Sequence, residues 1–189
     1  MKIGVISDIH SNKASLKKVL NFFRSKGIKK IYCLGDIIGY GNYPNEVIDM
    51  LKKERVISIA GNHEKMLLGG NCSEKYNMRY TKKVITGSSV EYLKGLPGFI
   101  ELKSCNAILS HAVPFTKDRY HYANSDFSIF DKIDYRIIFL GHAHYPMFMS
   151  YYNKKIINPG SVGQPRDGNE KAALAVCDLD KERFDFVRI

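Results

Sequence analysis

The chain has 189 residues, enough for one domain spanning 1–189 with a sizeable core. Apolar content of 44 % with charged content of 25 % excludes a disordered or low-complexity chain, and no apolar stretch approaches the ~20 residues that cross a bilayer. The net charge of +10 favours polyanionic partners. The lysines come largely in pairs such as Lys17-Lys18 and Lys52-Lys53, which read as solvated surface, so a nucleic-acid ligand is the alternative and not the main reading.

In chain order, residues 2–7 are a short, β-branched apolar run, predicted as a buried strand that delivers Asp8-Ile9-His10 at its end. Met1-Lys2 leads straight into it, which makes the cytoplasm the expected location. Ser11 or Asn12 is a candidate N-cap. Ala14, Leu16, Val19, Leu20 and Phe23 then give a helical stripe up to Gly27. Residues 30–34 are a second strand running into Gly35-Asp36. A glycine-rich turn carrying Tyr40 and Tyr43 follows, and Pro44 opens a helix through Leu51. Residues 55–60 are a third strand, ending at Gly61-Asn62-His63-Glu64. This βαβα start implies a parallel sheet. Residues 62–94 read as mainly helical, broken near Gly69-Gly70-Asn71.

The second half changes character. Residues 99–102 and 106–110 read as a hairpin whose second strand leads into His111. Residues 136–140 lead into Gly141-His142-Ala143-His144. Residues 151–156 read as two strands around Asn153-Lys154, and 172–179 with 184–189 as a terminal hairpin across Asp180-Lys181. The architecture this implies is two sheets packed face to face with helices outside. Cys33, Cys72, Cys105 and Cys177 are scattered, form no C-x-x-C pair and read as structural.

Five of the six histidines therefore lie in motifs just past the carboxyl end of an expected strand; His121 is the exception. That edge of an open α/β sheet is where ligands bind. The i, i+2 spacing of Asp8/His10 and His142/His144 puts each pair on one face of an extended segment. A mixture of His, Asp and Asn without cysteine suits two borderline-hard divalent metals.

The series Asp8-x-His10, Gly35-Asp36-x-x-Gly39, Gly61-Asn62-His63-Glu64, His111 and Gly141-His142-x-His144 resembles the calcineurin-like metallophosphoesterase family in order and spacing. Asn158-Pro-Gly-Ser161 resembles the turn of its small bacterial members. The resemblance implies a four-layer αββα sandwich. It implies one metal held by Asp8, His10, Asp36 and His144, and a second held by Asn62, His111 and His142 with Asp36 bridging. Manganese is the expected pair, with iron, zinc, nickel and magnesium as alternatives. It further implies attack on phosphorus by a hydroxide shared between the metals, with His63 protonating or stabilising the leaving oxygen. Glu64 is read as pointing to solvent or capping a helix, and His121 as surface or substrate-facing.

One departure stands out. The protein-phosphatase branch has Gly-Asp-x-x-Asp-Arg-Gly, whereas this chain has Gly39 at the second Asp and Tyr40 at the Arg. The residue that orients His63 is unassigned, and a phosphate clamp is missing at Tyr40, with Arg119 or Lys117 as substitutes. Asn62, Tyr40, Tyr43, Arg119 and Tyr120 are the candidate substrate-binding residues, the last two in an aromatic, basic loop at 113–122. The expected activity is hydrolysis of small phosphodiesters or phosphomonoesters. Alternatives are a nuclease, a dinucleoside polyphosphate hydrolase, or a non-catalytic protein-binding scaffold like the retromer subunit of this fold. Monomer and homo-oligomer are both left open.

Overall fold

The computed structural model describes residues 1–72, 74–116 and 119–189; Lys117, one of the substitutes considered for the clamp, falls outside them. The strands are β1 (Lys2–Ile6), β2 (Ile31–Cys33), β3 (Ile57–Ser58), β4 (Phe99–Leu102), β5 (Ala107–Ser110), β6 (Ile137–Phe139), β7 (Pro146–Tyr151), β8 (Lys154–Pro159), β9 (Ala173–Asp178) and β10 (Arg183–Arg188). The helices are α1 (Lys13–Ser25), α2 (Pro44–Lys53), α3 (Asn62–Leu68), α4 (Met78–Val84) and α5 (Gly87–Lys94).

The strands form two five-stranded mixed sheets, ordered β10-β9-β1-β2-β3 and β4-β5-β6-β8-β7. Within the first, β1, β2 and β3 run parallel and the β9/β10 hairpin is antiparallel. Within the second, β5, β6 and β8 run parallel between antiparallel edges β4 and β7. Alternation along the strands sorts the core. Ile3, Val5, Tyr32 and Leu34 meet Ala107, Leu109, Phe139 and Ile157 between the sheets. Ile6 and Cys33 face outward onto Leu16, Val19, Phe23 and Val47 of the helices.

The two outer layers are unequal. All five helices contribute to the cluster on the outer face of the first sheet. The outer face of the second is covered by Phe130 and Ile133, from a single 3₁₀ turn (Phe127–Phe130) and the residues after it.

Some boundaries differ from the sequence reading. The third strand keeps only Ile57–Ser58, because Arg55 turns at φ 53° and Ala60 already bonds to Pro97 O outside the ladder. The helical stretch breaks a second time at 85–86, where Thr86 caps α5 by accepting from Ser89 N. The β7/β8 hairpin turns at Tyr152-Asn153, one residue early, with Tyr152 at φ 49°.

Candidate metal centre

The chemistry-bearing residues gather where the carboxyl ends of β1, β2 and β3 meet those of β5 and β6. Asp8, His10, Asp36, His142 and His144 leave their strands with φ of 54°, 49°, 51°, 65° and 63°. That left-handed backbone turns each side chain inward. Asn62 and His63 open α3, and His111 directly follows β5. Asp8, Asp36 and the histidines at 10, 63, 111, 142 and 144 are all buried.

Two sets of donors converge, and they share one carboxylate. His144 Nε2 is 3.2 Å and His10 Nε2 3.8 Å from Asp8 Oδ1, with 3.2 Å between the two nitrogens. His111 Nε2 is 2.9 Å from Asn62 Oδ1, 3.1 Å from His142 Nδ1 and 3.4 Å from Asp36 Oδ1. The other oxygen, Asp36 Oδ2, lies 3.9 Å from His10 Nε2. The arrangement thus brings together all seven residues expected as ligands, and His63 lies within the same reach of His10 and Asp36.

Three tautomers follow from the backbone. Nδ1 of His10, His111 and His144 lies 3.2, 2.7 and 2.6 Å from the carbonyl oxygens of Ile38, Leu34 and Gln164. A carbonyl only accepts, so each Nδ1 carries a proton, which leaves Nε2 to offer its lone pair whenever the ring is neutral. With both rings neutral, His10 and His144 aim two lone pairs at each other across 3.2 Å. A cation between them resolves that repulsion, which is how orienting hydrogen bonds prepare histidine for a metal. Asp8 Oδ1, buried beside them, accepts no hydrogen bond. The donor set therefore fits divalent cations.

The electrostatics point the same way. Burial alone would raise the Asp8 carboxyl, but His144 and then His111 hold it at about 2. Burial pushes His10 down to about 3 despite Asp36 and Asp8. Burial opposes charge on His111 too, yet Asp36 outweighs it and raises that imidazole to about 10. A proton on His111 neutralises Asp36 in the way a metal ion would.

Glu64 is neither solvent-facing nor a simple cap. It is fully buried, and its oxygens accept from the backbone N–H groups of Asp36, Ile37, Ile38 and Gly61 at 2.7–3.2 Å. It thus closes the start of α3 and also fastens the Asp36 loop to it. Burial and the Asp36 charge push its carboxyl up to about 7 against the pull of those donors.

His63 is positioned without a second carboxylate. Its backbone N–H donates to Asp36 Oδ1 at 2.9 Å, and its Nε2 lies 3.8 Å from Asp36 Oδ2. Its ring stacks on Tyr40 at 5.4 Å and packs against Tyr76 at 5.2 Å. Gly39, at φ 87°, is required for this fit, since a Cβ there would sit 2.1 Å from His63 Nδ1. The Asp of the protein-phosphatase pattern has no room here, and aromatic packing sets the ring plane.

Two walls border the centre. On one side His10, Tyr40, Tyr43 and Gln164 line a cavity of about 340 Å³. On the other, the Tyr120 ring stacks on His142 at 3.8 Å and 19°, Tyr122 lies parallel beyond it at 6.1 Å, and Tyr122 meets Tyr145 edge-on. Tyr122 and Tyr145 open into a cavity of about 460 Å³. Arg119 is exposed, and its charge is felt by His121 and Asp126. His121 is not on the surface: it is buried edge-on against Phe127 and Phe130.

Sequence reasoning missed Arg166. It follows the Asn158-Pro-Gly-Ser161 turn, and its Nη2 donates to the Tyr40 hydroxyl at 3.0 Å. A cation thus stands beside the position where the clamp was thought missing. The signal available was proximity in sequence to that turn.

The calcineurin-like phosphoesterase superfamily domain matches residues 1–182, and the chain belongs to that superfamily. An uncharacterized protein of Methanocaldococcus jannaschii, MJ0912, is 38 % identical over 211 aligned positions, covering 99 % of this chain and 86 % of that one. Phosphodiesterase YfcE of Escherichia coli is 25 % identical, covering 95 % of this chain and 89 % of its own. Among solved structures, a metallophosphoesterase from Sphaerobacter thermophilus superimposes with a TM-score of 0.88 at 28 % identity, over 100 % of this chain and 88 % of that one.

Proposed function

We propose that the protein is a dinuclear metallophosphoesterase that hydrolyses small phosphodiesters. Asp8, His10, Asp36 and His144 hold one divalent cation, and Asp36, Asn62, His111 and His142 the other, with manganese the expected pair. The observation that carries the reading is Asp36, whose two oxygens face two separate sets of imidazoles. When bound, such cations supply an acidified water and neutralise charge on the phosphoryl oxygens.

The chain's own groups do the rest. His63 hands a proton to the leaving oxygen, with its backbone fixed by Asp36 and its ring by Tyr40 and Tyr76. The diester preference is supported by the activity named for YfcE. It is also supported by aromatic walls on both sides, which offer surface to an organic group on each ester arm. A protein-binding scaffold would have no use for a full donor set with an acid beside it.

Hydrolysis of bis(p-nitrophenyl) phosphate, against p-nitrophenyl phosphate, with Mn²⁺ tests the reading. We expect metal-dependent turnover of the diester. Asp36→Asn should lower kcat by at least ~10³-fold, more than one electrostatic donor contributes, and should reduce the bound metal below two per chain. No turnover of either ester with manganese, iron, zinc, nickel or magnesium would overturn it.

A further inference from the structure

We propose that Arg166 is the phosphate-gripping residue of this site, parked on tyrosine hydroxyls at its mouth until a phosphoryl group displaces them. The proposal rests on the phosphoesterase reading and adds to it the group that recognises the substrate's charged oxygens.

The loop that carries Arg166 is fastened to the metal centre up to two residues before it. Val162 N and Gly163 N donate to the carbonyls of Ser7 and Asp8 at 3.0 Å, and Ser161 Oγ donates to Asp8 O at 2.7 Å. Gln164 N donates back to Ser161 Oγ at 2.8 Å, while its carbonyl accepts the Nδ1 proton of His144. Gly163 is the pivot: a Cβ there would lie 1.9 Å from Ile9 O, so only glycine lets the loop close on the β1 end. After Gln164 and Pro165, the chain is committed to passing over the mouth.

There the guanidinium meets both walls. It donates to Tyr40 at 3.0 Å and faces the Tyr120 hydroxyl, and the field of the Asp8 carboxylate reaches it. Tyr40 stacks on the proposed acid His63, and Tyr120 on the proposed ligand His142. Arg166 therefore spans the line between the leaving-group side and the metal side. It is exposed, and its neutral hydroxyl partners are weaker than a charged oxygen would be. A planar fork that trades two tyrosine hydroxyls for two non-bridging phosphoryl oxygens suits bidentate recognition.

The test uses the Mn²⁺-loaded full chain and inorganic phosphate as the probe. Dissociation constants from calorimetry are set beside KM and kcat for bis(p-nitrophenyl) phosphate. Arg166→Gln should weaken phosphate binding and raise KM by about 10–100-fold, the loss of a charged hydrogen bond, with Mn²⁺ affinity unchanged. Arg166→Lys, which keeps the charge and loses the fork, should recover part of the loss. Phosphate affinity and KM within twofold of wild type in Arg166→Gln would overturn the assignment while leaving the phosphoesterase reading intact. Weaker phosphate binding in a protein that hydrolyses no ester would uphold Arg166 and overturn the phosphoesterase reading. Should the glutamine variant not fold, Arg166→Lys decides alone, and wild-type affinity for phosphate in it sinks the proposal.

Discussion

The two sides of the centre are built in opposite ways. The side supplied by β1, β2 and α3 is tied backbone to backbone: Asp8 N to Gly35 O, His10 N to Asp36 O, Ser11 N to Ile37 O, with four more N–H groups gathered by Glu64. Among the described residues, the wall at 119–122 has few such ties, Ser125 N to Tyr122 O being one. It meets the centre through one stacked ring, Tyr120 on His142, and Tyr120 and Tyr122 are partly in solvent. The lesson is a division of labour. Groups that must hold a fixed geometry sit on locked strand ends, and groups that must accept varied substrates sit on an adaptable surface.

Several substitutions break or sharpen that contrast. The largest effect belongs to His63, on the locked side. His63→Ala should cut turnover by ~10²–10⁴-fold, as loss of an acid does. The loss should shrink for nitrophenolate leaving groups, and equal losses across leaving groups would instead point to a phosphate-binding role.

Glu64→Ala tests the lock itself. It strands four buried N–H groups that each cost ~1–3 kcal/mol when unpaired. Even partial relaxation leaves ~3 kcal/mol, or a Tm lower by ~6–12 °C at ~2–4 °C per kcal/mol for a chain of this size. A Tm within 2 °C of wild type in a thermal melt would mean the Asp36 loop stands without it.

Metal addition comes next. Mn²⁺ at a hundred times its Kd should stabilise the fold by about 2.7 kcal/mol for each site filled, a rise in Tm of ~5–10 °C per site, reversed by chelator. An unchanged melting curve would contradict binding by the folded state. The smallest effect is expected on the open wall. Tyr122→Ala should shift Tm by less than ~2 °C, as an exposed substitution does. It should raise KM for an aryl diester by ~5–10-fold through lost stacking; an unchanged KM would remove the wall from substrate binding.

How much of this was legible in the sequence follows the same division. The strand ends were readable because short apolar runs stop there at Gly35, Gly61 and Gly141 or at Ser7 and Ser110, and the residue after the stop carries the chemistry. Glu64 was readable as a helix cap, but its hold on the Asp36 loop was not, because those partners are backbone N–H groups, which leave no trace in side-chain patterns. The surface reading of His121 failed because the apolar partners that bury it, Phe127 and Phe130, come from a 3₁₀ turn too short to show a period. Beyond its nearness to the 158–161 turn, Arg166 left no signal, for a geometric reason. Its place over the mouth depends on Gly163 closing against Ile9 O, a contact between residues 154 positions apart. Gly39 was seen as a missing carboxylate, while the structure makes it the space that His63 occupies.

The left-handed turns at Asp8, His10, Asp36, His142 and His144 have one more consequence. A non-glycine residue held in that region gives up about 1–3 kcal/mol, and a whole domain has only about 5–15 kcal/mol in hand. Five of the seven proposed ligands therefore weaken the fold by the backbone shape that aims them. Thermostability and catalysis pull against each other at those five positions. Selection for heat resistance alone, with no demand for activity, would turn them into glycine and dismantle the centre before it touched the core.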